Sequence, residues 1–273
     1  MAASLFQQAD KLDARLPALR RNLRRLPQAV TLSAPRLVIQ SLGWTKVTVN
    51  GQAAEWPTQS VRELFFFFLA SHKPLNKEQV AEALWPDTED PERLKQRFKN
   101  EVYRLRRTVG HETILLDGEL YRFNRALDYD YDLDDFETYL ARVKSALTDE
   151  ERIENYEKAV SLVKGPYLTD IGAAWATLDR EHVQQTFLEA AIRLAELHWK
   201  RKDAQKTLDI CQRALELDPA SEPFHQMAMR AHAQRGDRAA IARQYQACRQ
   251  ASESLFDLPP AEETEKLYRQ LIA

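Results

Sequence analysis

The chain has 273 residues, a hydrophobic content of 44% and a formal net charge of −2, which suits about two soluble domains with their own cores. Its longest apolar run, residues 64–70, is far shorter than the ~18 residues of a membrane span, and the N-terminus lacks a secretory h-region. A near-neutral chain is not a nonspecific polyanion binder, so any nucleic-acid contact requires a local basic patch. These features predict a cytoplasmic protein without a membrane partner.

Residues 1–35 are predicted to be mostly helical. Seven apolar residues recur there at alternating spacings of four and three, a coiled-coil pattern: Leu5, Ala9, Leu12, Leu16, Leu19, Leu23 and Leu26. Pro17 would break one continuous helix but suits the first turn of a second. Two short helices that dock on the rest of the chain or on a missing neighbour are therefore predicted, with a dimerising coiled coil as the alternative. An isolated basic helix here also indicates a chain cut from a longer protein.

Residues 36–130 alternate strand and helix signals. Short strands are predicted at residues 37–42, 46–50 and 52–55, with a primed hairpin turn at Asn50-Gly51. Thr58 and Asn76 are the predicted N-caps of two helices, and a third, basic helix follows Pro91. Strands at 113–116 and 120–123 then flank a second hairpin turn. This order predicts an α+β winged helix-turn-helix in which the third helix contacts DNA and the last hairpin is the wing.

The third helix carries the strongest charge pattern. Between residues 93 and 107, seven Lys and Arg accompany one acid, for a net charge of +6, whereas the rest of the chain sums to −8. Leu94, Phe98, Val102 and Leu105 share one helical face. The opposite face holds Arg93, Gln96, Asn100, Tyr103 and Arg107, with Arg97, Lys99 and Arg104 on its flanks. Such a helix fits a DNA major groove; a solvated surface helix is the other interpretation.

Residues 131–273 are predicted to be all helical. The predicted segments are 133–147, 150–163, 178–200, 204–216, 222–234, 238–255 and 262–271. An offset of 34 residues relates His198 to His232 and Asp203 to Asp237, which is the tetratricopeptide period. A tetratricopeptide-like repeat domain of antiparallel helix pairs, with a protein-binding face, is therefore predicted.

Several motifs resemble two known bacterial modules. The segments KEQVAEALWPD (77–87), VYRLRRTVG (102–110) and LYRFN (120–124) resemble the OmpR-type winged helix. The segments DYDLDDFETYL (130–140), LVKGPYLTDI (162–171) and LFDLPPAEETEKLYRQLI (255–272) resemble the bacterial transcriptional activator domain. Their combination over residues 36–273 resembles the SARP-type regulators. The resemblance implies a sequence-specific transcription activator that binds double-stranded DNA, usually as a pair on direct repeats.

The resemblance also implies which side chains contact DNA. In that fold, positions matching Lys99, Asn100 and Arg104 reach base edges, and those matching Gln96, Tyr103 and Arg106 meet phosphates. Charge and position add four further candidates from the sequence itself: Arg93, Arg97, Arg107 and, on the returning wing strand, Arg122.

Two departures from the family pattern support a competing hypothesis. Glu101 stands where the fold often has a phosphate-touching His, so its carboxylate would repel DNA or pair with a nearby Arg. The wing tip, Asp117-Gly118-Glu119, is acidic, which disfavours entry into an electronegative minor groove. The alternative function is a tetratricopeptide-type protein-interaction scaffold whose winged helix no longer binds DNA.

The loop between the second and third helices carries four acids: Asp87, Glu89, Asp90 and Glu92. One interpretation is a solvated loop in which Asp90 caps the third helix. The resemblance implies instead that this loop contacts RNA polymerase, where an acidic patch would meet a basic surface.

No motif supports an enzyme, a cofactor or a metal site. Cys211 and Cys248, 37 residues apart, are predicted to be buried free thiols. The residues also contain no recognisable sensor. We therefore expect the signal to arrive through a regulatory protein that docks on the helical repeats, whose acidic balance suits a basic segment, or through an upstream domain of the same chain.

Overall fold

The computed structural model describes residues 35–87 and 90–273, so the predicted N-terminal helices lie outside the described residues. The described chain divides into two compact units. The first holds residues 35–138 together with Tyr167–Glu181, and the second holds Tyr139–Pro166 together with His182–Ala273. The first unit is the predicted α+β winged helix-turn-helix, and every regular element of the second is a helix.

Six strands occur in the first unit: β1 (Leu37–Gln40), β2 (Lys46–Val49), β3 (Gln52–Ala53), β4 (Ile114–Asp117), β5 (Leu120–Phe123) and β6 (Tyr129–Tyr131). Four of them form a sheet in the order β3-β2-β1-β6, and β4 pairs with β5 as the wing. Asn50 and Gly51 have positive φ angles of 52° and 85°, which confirms the primed turn between β2 and β3. The sequence prediction lacks β6, which runs parallel to β1.

Three helices of the first unit begin at the predicted caps. They are α1 (Gln59–Ala70), α2 (Lys77–Leu84) and α3 (Pro91–Val109). The side-chain oxygens of Thr58, Asn76 and Asp90 each accept a hydrogen bond from a backbone N–H of the following turn. Gly110 ends α3, and a Cβ there would lie 2.6 Å from Cγ of Pro35, so the close approach requires glycine.

The core of the first unit is aromatic. Phe65, Phe66 and Phe68 of α1 are fully buried, and Phe65 packs edge-on against Phe123 of β5 with ring centroids 6.0 Å apart. Backbone hydrogen bonds in both directions between Leu75 and Tyr121 join the loop after α1 to the wing. The wing is therefore part of the folded core rather than a projecting loop.

Two carboxylates from beyond the wing complete the first unit. Asp132 accepts hydrogen bonds from the backbone N–H groups of Ser41 and Leu42 at 2.8 to 3.0 Å, and from Ser41 Oγ at 2.9 Å. Asp170 accepts from Thr45 N and Oγ1 and pairs with Arg62 of α1 at 2.8 Å. A winged helix cut at residue 130 would lose both partners.

The second unit confirms the predicted helices to within two residues at every end. The helices that contribute to it, two of which begin within the first unit, are α4 (Asp132–Ser145), α5 (Asp149–Leu162), α6 (Thr177–Lys200), α7 (Ala204–Leu217), α8 (Glu222–Gln234), α9 (Arg238–Phe256) and α10 (Glu262–Ile272). Asp203 and Asp237 cap α7 and α9 in the same way. Lys202 and Gly236, also 34 residues apart, both have positive φ, 60° and 70°. The helix turn thus repeats with the tetratricopeptide period.

Charge is balanced on the second unit, which carries equal numbers of acidic and basic residues. The acidic excess of residues 131–273 comes from residues 132–137 and 170–181, which belong to the first unit. The charge of the second unit by itself therefore gives no preference for a basic partner, and a regulatory protein on the repeats stays a prediction. Both cysteines are buried free thiols, as predicted, and burial raises the pKa of Cys211 to about 12.

No helix in residues 35–87 and 90–273 combines the length and the apolar character that a membrane crossing requires. The longest of them, α6, includes both charged and polar side chains along its 24 residues.

We predict that replacing Asp170 by Ala destabilises the first unit by about 3 kcal/mol, because the change strands the largely buried Arg62 guanidinium. Glu78→Ala, which breaks an exposed pair with Lys77 in the same unit, should cost less than ~1 kcal/mol. Urea denaturation followed by tryptophan fluorescence measures both. Equal small losses would show that the Asp170 bridge does not hold the unit together.

The second unit should lose stability as the pH falls below ~6.5. Burial lowers the pKa of His225; its Nε2–H donates to the Pro219 carbonyl at 2.9 Å, and Nδ1 accepts from Gln244 at 2.7 Å. The folded state therefore prefers the neutral ring, and protonation favours the unfolded chain. Thermal denaturation between pH 7.5 and 5 should show a smaller acid-side loss in His225→Gln than in wild type. The exposed His182→Gln serves as control, and an unchanged slope in His225→Gln would contradict the assignment.

Candidate nucleic-acid interface

Burial of one face fixes the orientation of α3. Phe98, Val102, Leu105 and Val109 are buried, and the Phe98 ring lies 4.8 Å from the Tyr121 ring and 6.4 Å from that of Trp85 between centroids. Leu94, predicted to share this face, is only half-buried. The opposite face of α3 is therefore held towards solvent by contacts on two sides.

Besides Glu92 in the first turn, nine polar side chains of α3 are exposed: Arg93, Lys95, Gln96, Arg97, Lys99, Asn100, Tyr103, Arg104 and Arg107. They include every predicted contact on this helix except Arg106. The structure thus brings eight of the predicted residues onto one accessible surface, which combines cations, two amides and one aromatic ring.

Two amides on this surface are already joined. Gln96 Nε2 donates to Asn100 Oδ1 at 3.0 Å, which leaves the Asn100 NH₂ group and one lone pair of its oxygen available. An Asn amide in that state can still donate to and accept from an adenine edge. Gln96 therefore orients Asn100 as well as being exposed itself.

The exposed cations of α3 differ in the contacts that they make with other residues of the protein. The Arg97 guanidinium lies 4.6 Å from the ring centroid of Trp85, and Arg93 pairs with Asp90 at 3.4 Å. Lys99 forms no ion pair with any described residue. The cation nearest the middle of the helix is thus the least constrained.

Arg106 is used inside the fold. Its side chain is half-buried, and Nη2 donates to the Ile114 carbonyl at 2.8 Å. This bond ties α3 to strand β4 of the wing. The phosphate contact implied for Arg106 by the family resemblance has no support from this geometry.

Glu101 belongs to the buried side of α3 and not to its exposed surface. It is buried beside Phe98 and Leu105, and its Oε1 accepts from Arg104 Nη1 at 3.1 Å. Of the two expectations for this residue, pairing with a nearby Arg is confirmed. Because the carboxylate is covered and neutralised, it does not repel DNA from the exposed face as an open acid would.

An open groove of about 810 Å³ lies between α3 and the β2–β3 hairpin. Asn100, Tyr103, Arg104 and Arg107 form one wall, and the opposite wall includes Asn50, Gln52 and Glu55. The sequence does not reveal this second wall, because the hairpin is some fifty residues away along the chain and carries no charge pattern. The C-terminal half of α3 therefore lines a groove.

The wing and the loop before α3 flank this surface. Arg122 and the tip residues Asp117 and Glu119 are exposed, and their contact with DNA stays a prediction. Asp90 caps α3 by accepting from the backbone of Glu92 and Arg93, as predicted. Asp87 and Glu92 are exposed, whereas Glu89 lies outside the described residues. Within the described ranges, no cluster of His, Cys, Asp and Glu could hold a metal ion.

The fold and this surface together define a winged helix joined to tetratricopeptide-like helices. Residues 131–272, more than half of the chain, match the bacterial transcriptional activator domain family. The chain belongs to this family, and its architecture is that of a SARP-type transcriptional regulator. No curated protein matches the chain.

A solved structure shares the fold. Mycobacterium tuberculosis EmbR, in complex with a low-affinity phosphopeptide, superposes with a TM-score of 0.69 at 17% sequence identity. The match covers 87% of this chain and 65% of the EmbR chain. The chain therefore spans less than two thirds of the length of EmbR, and the likeness establishes a common fold.

Proposed function

We propose that this transcriptional regulator binds double-stranded DNA sequence-specifically through the exposed face of α3 and activates transcription by contacting RNA polymerase. The observation that carries the proposal is the single surface formed by Lys99, Asn100, Tyr103, Arg104 and Arg107, held outward by the buried side of the same helix. A helix of 19 residues with this division of polarity has the width and the donor groups that a major groove accepts.

Side chains on this surface divide into two roles. Asn100 and Arg104 carry planar groups that suit bidentate contacts with adenine and guanine respectively. Arg107 suits phosphates. Lys99, whose position reaches base edges in the family fold, acts here mainly as charge, because a flexible cation neutralises phosphates without distinguishing bases. Phosphate contacts add affinity that falls with salt, and the planar groups add sequence preference.

The buried position of Glu101 weakens the scaffold alternative. That hypothesis depended on two acidic features, and one of them is paired with Arg104 and covered. The exposed acidic wing tip is the remaining support, and it disfavours only minor-groove entry by the wing.

The acidic loop before α3 supports the polymerase contact. Asp87 in this loop and Glu92 in the first turn of α3 are exposed beside the proposed DNA surface, so a polymerase bound to adjacent DNA could reach them. Asp90 is occupied as the helix cap. A regulatory protein on the second unit remains part of the proposal, although the balanced charge of that unit gives no preference for a basic partner.

Asn100→Ala should reduce the preference for the bound sequence over a scrambled one by about 1–3 kcal/mol, because a base-edge contact is lost. Lys99→Ala should instead weaken both complexes to a similar degree and lower the salt slope by about one. Fluorescence anisotropy with both DNAs at several salt concentrations measures these effects. Steep salt dependence without any difference between the two DNAs would contradict sequence-specific binding.

Neutralising these acids with Asp87→Asn and Glu92→Gln together should lower transcription severalfold while DNA affinity stays within about twofold, since neither residue is among the proposed DNA contacts. Transcription with purified RNA polymerase on a template carrying the bound sequence measures the effect. Glu82→Gln, an exposed acid on α2, is the matched control. Full transcription by the double variant would remove the polymerase role from this loop.

A further inference from the structure

Glu101 is the most deeply buried Asp, Glu, Lys or Arg in the described part of the chain. It is 6% exposed, and its Oε2 has no hydrogen-bond partner among the described residues. A half-satisfied buried carboxylate is unfavourable for folding, and an apolar side chain of similar volume in such a place is often neutral or stabilising. Packing alone therefore does not explain an acid at this position.

The other carboxylate oxygen connects Glu101 to the proposed DNA surface. Oε1 accepts from Arg104 Nη1 at 3.1 Å, and the Arg104 side chain is 49% exposed against 8% for that of Glu101. One end of the pair is thus fixed in the core, and the other lines the groove beside Asn100 and Tyr103. Only one guanidinium N–H bond is used, so the remaining donors of Arg104 stay available.

We propose that Glu101 is a positioning residue, which holds the Arg104 guanidinium ready for one base pair without touching DNA itself. The inference rests on the proposed DNA-binding function and adds a determinant of its specificity. A free arginine samples many rotamers, and ordering it on binding weakens the complex. A carboxylate anchored in the core restricts that sampling beforehand, so the planar group meets the guanine edge in one orientation.

Charge pairing gives the proposal a second consequence. Paired with Glu101, Arg104 adds little net positive charge to the surface, so it contributes little to nonspecific attraction for phosphates. Removing the carboxylate should therefore act in opposite directions on two quantities. Affinity for unrelated DNA should rise, while the preference for the base pair contacted by Arg104 should fall.

The test uses the full chain and begins with selection from random DNA by wild type and by Arg104→Ala. The position whose preference disappears in Arg104→Ala defines the base pair that Arg104 contacts. The affinities of wild type, Glu101→Met and Glu101→Gln are then measured for the selected sequence and for the three DNAs that carry another base pair at that position. Glu112→Gln is the control. Glu112 is exposed in the same unit and has no ion-pair partner among the described residues, so the change removes one negative charge and breaks no ion pair.

We expect both Glu101 variants to lose about threefold to tenfold of the preference at that one position, the range for freeing a flexible side chain. In both Glu101 variants the preferences at other positions and the thermal stability should stay close to wild type. The control Glu112→Gln should also behave like wild type. In an Arg104→Ala background, adding Glu101→Met should leave the preferences at all other positions unchanged.

Three results would overturn the positioning role. The first is an unchanged preference in Glu101→Gln and Glu101→Met. The second is a loss spread over all positions, which indicates general misfolding. The third is a loss of preference at other positions when Glu101→Met is added to Arg104→Ala, which would show that Glu101 acts through residues other than Arg104. Failure of the wild type to select any sequence would instead refute the proposed function itself, and the positioning role with it.

Discussion

The burial of one face of α3 is the constraint on which the rest of the proposed interface depends. Phe98, Val102 and Leu105 cannot leave the core without exposing a large apolar area, so the rotation of the helix about its axis is set. That rotation decides which polar side chains reach solvent. The wing contributes through Tyr121, whose ring packs on Phe98. Because the same contacts fold the unit and orient the surface, stability and recognition are tied together at this helix.

The cations of α3 illustrate how the fold selects among similar side chains. Arg106 fastens the wing, and Arg97 lies over Trp85. Arg104 is held by a core carboxylate, whereas Lys99 has no ion-pair partner in the described residues. A basic helix is therefore not a uniform charged surface. The strongest case for sequence preference lies in the groups whose orientation the protein fixes before DNA arrives.

Much of this fold could be predicted from the sequence, since its signals are local. The caps Thr58, Asn76 and Asp90 and the Asn50-Gly51 turn act through residues one to three positions away. Strand β6 was missed even though Asp and Tyr alternate over residues 128–131, because a three-residue strand gives little periodic signal. The anchoring of Asp170 on Arg62 joins residues 108 positions apart, and Arg106 ties α3 to the wing strand. Glu101 pairs with a residue only three positions away, but its burial depends on how α3 packs in the core. A helical wheel assigns a side to each residue but not a partner.

The placement of the exposed face of α3 in a DNA major groove is the central claim. Methylation protection tests it most directly, because dimethyl sulfate modifies guanine N7, an atom that lies in the major groove. With the full chain bound to its selected sequence, guanine N7 atoms within the site should be protected, and Arg104→Ala should restore modification at one of them. Binding that leaves every guanine N7 reactive would show that α3 does not enter the major groove.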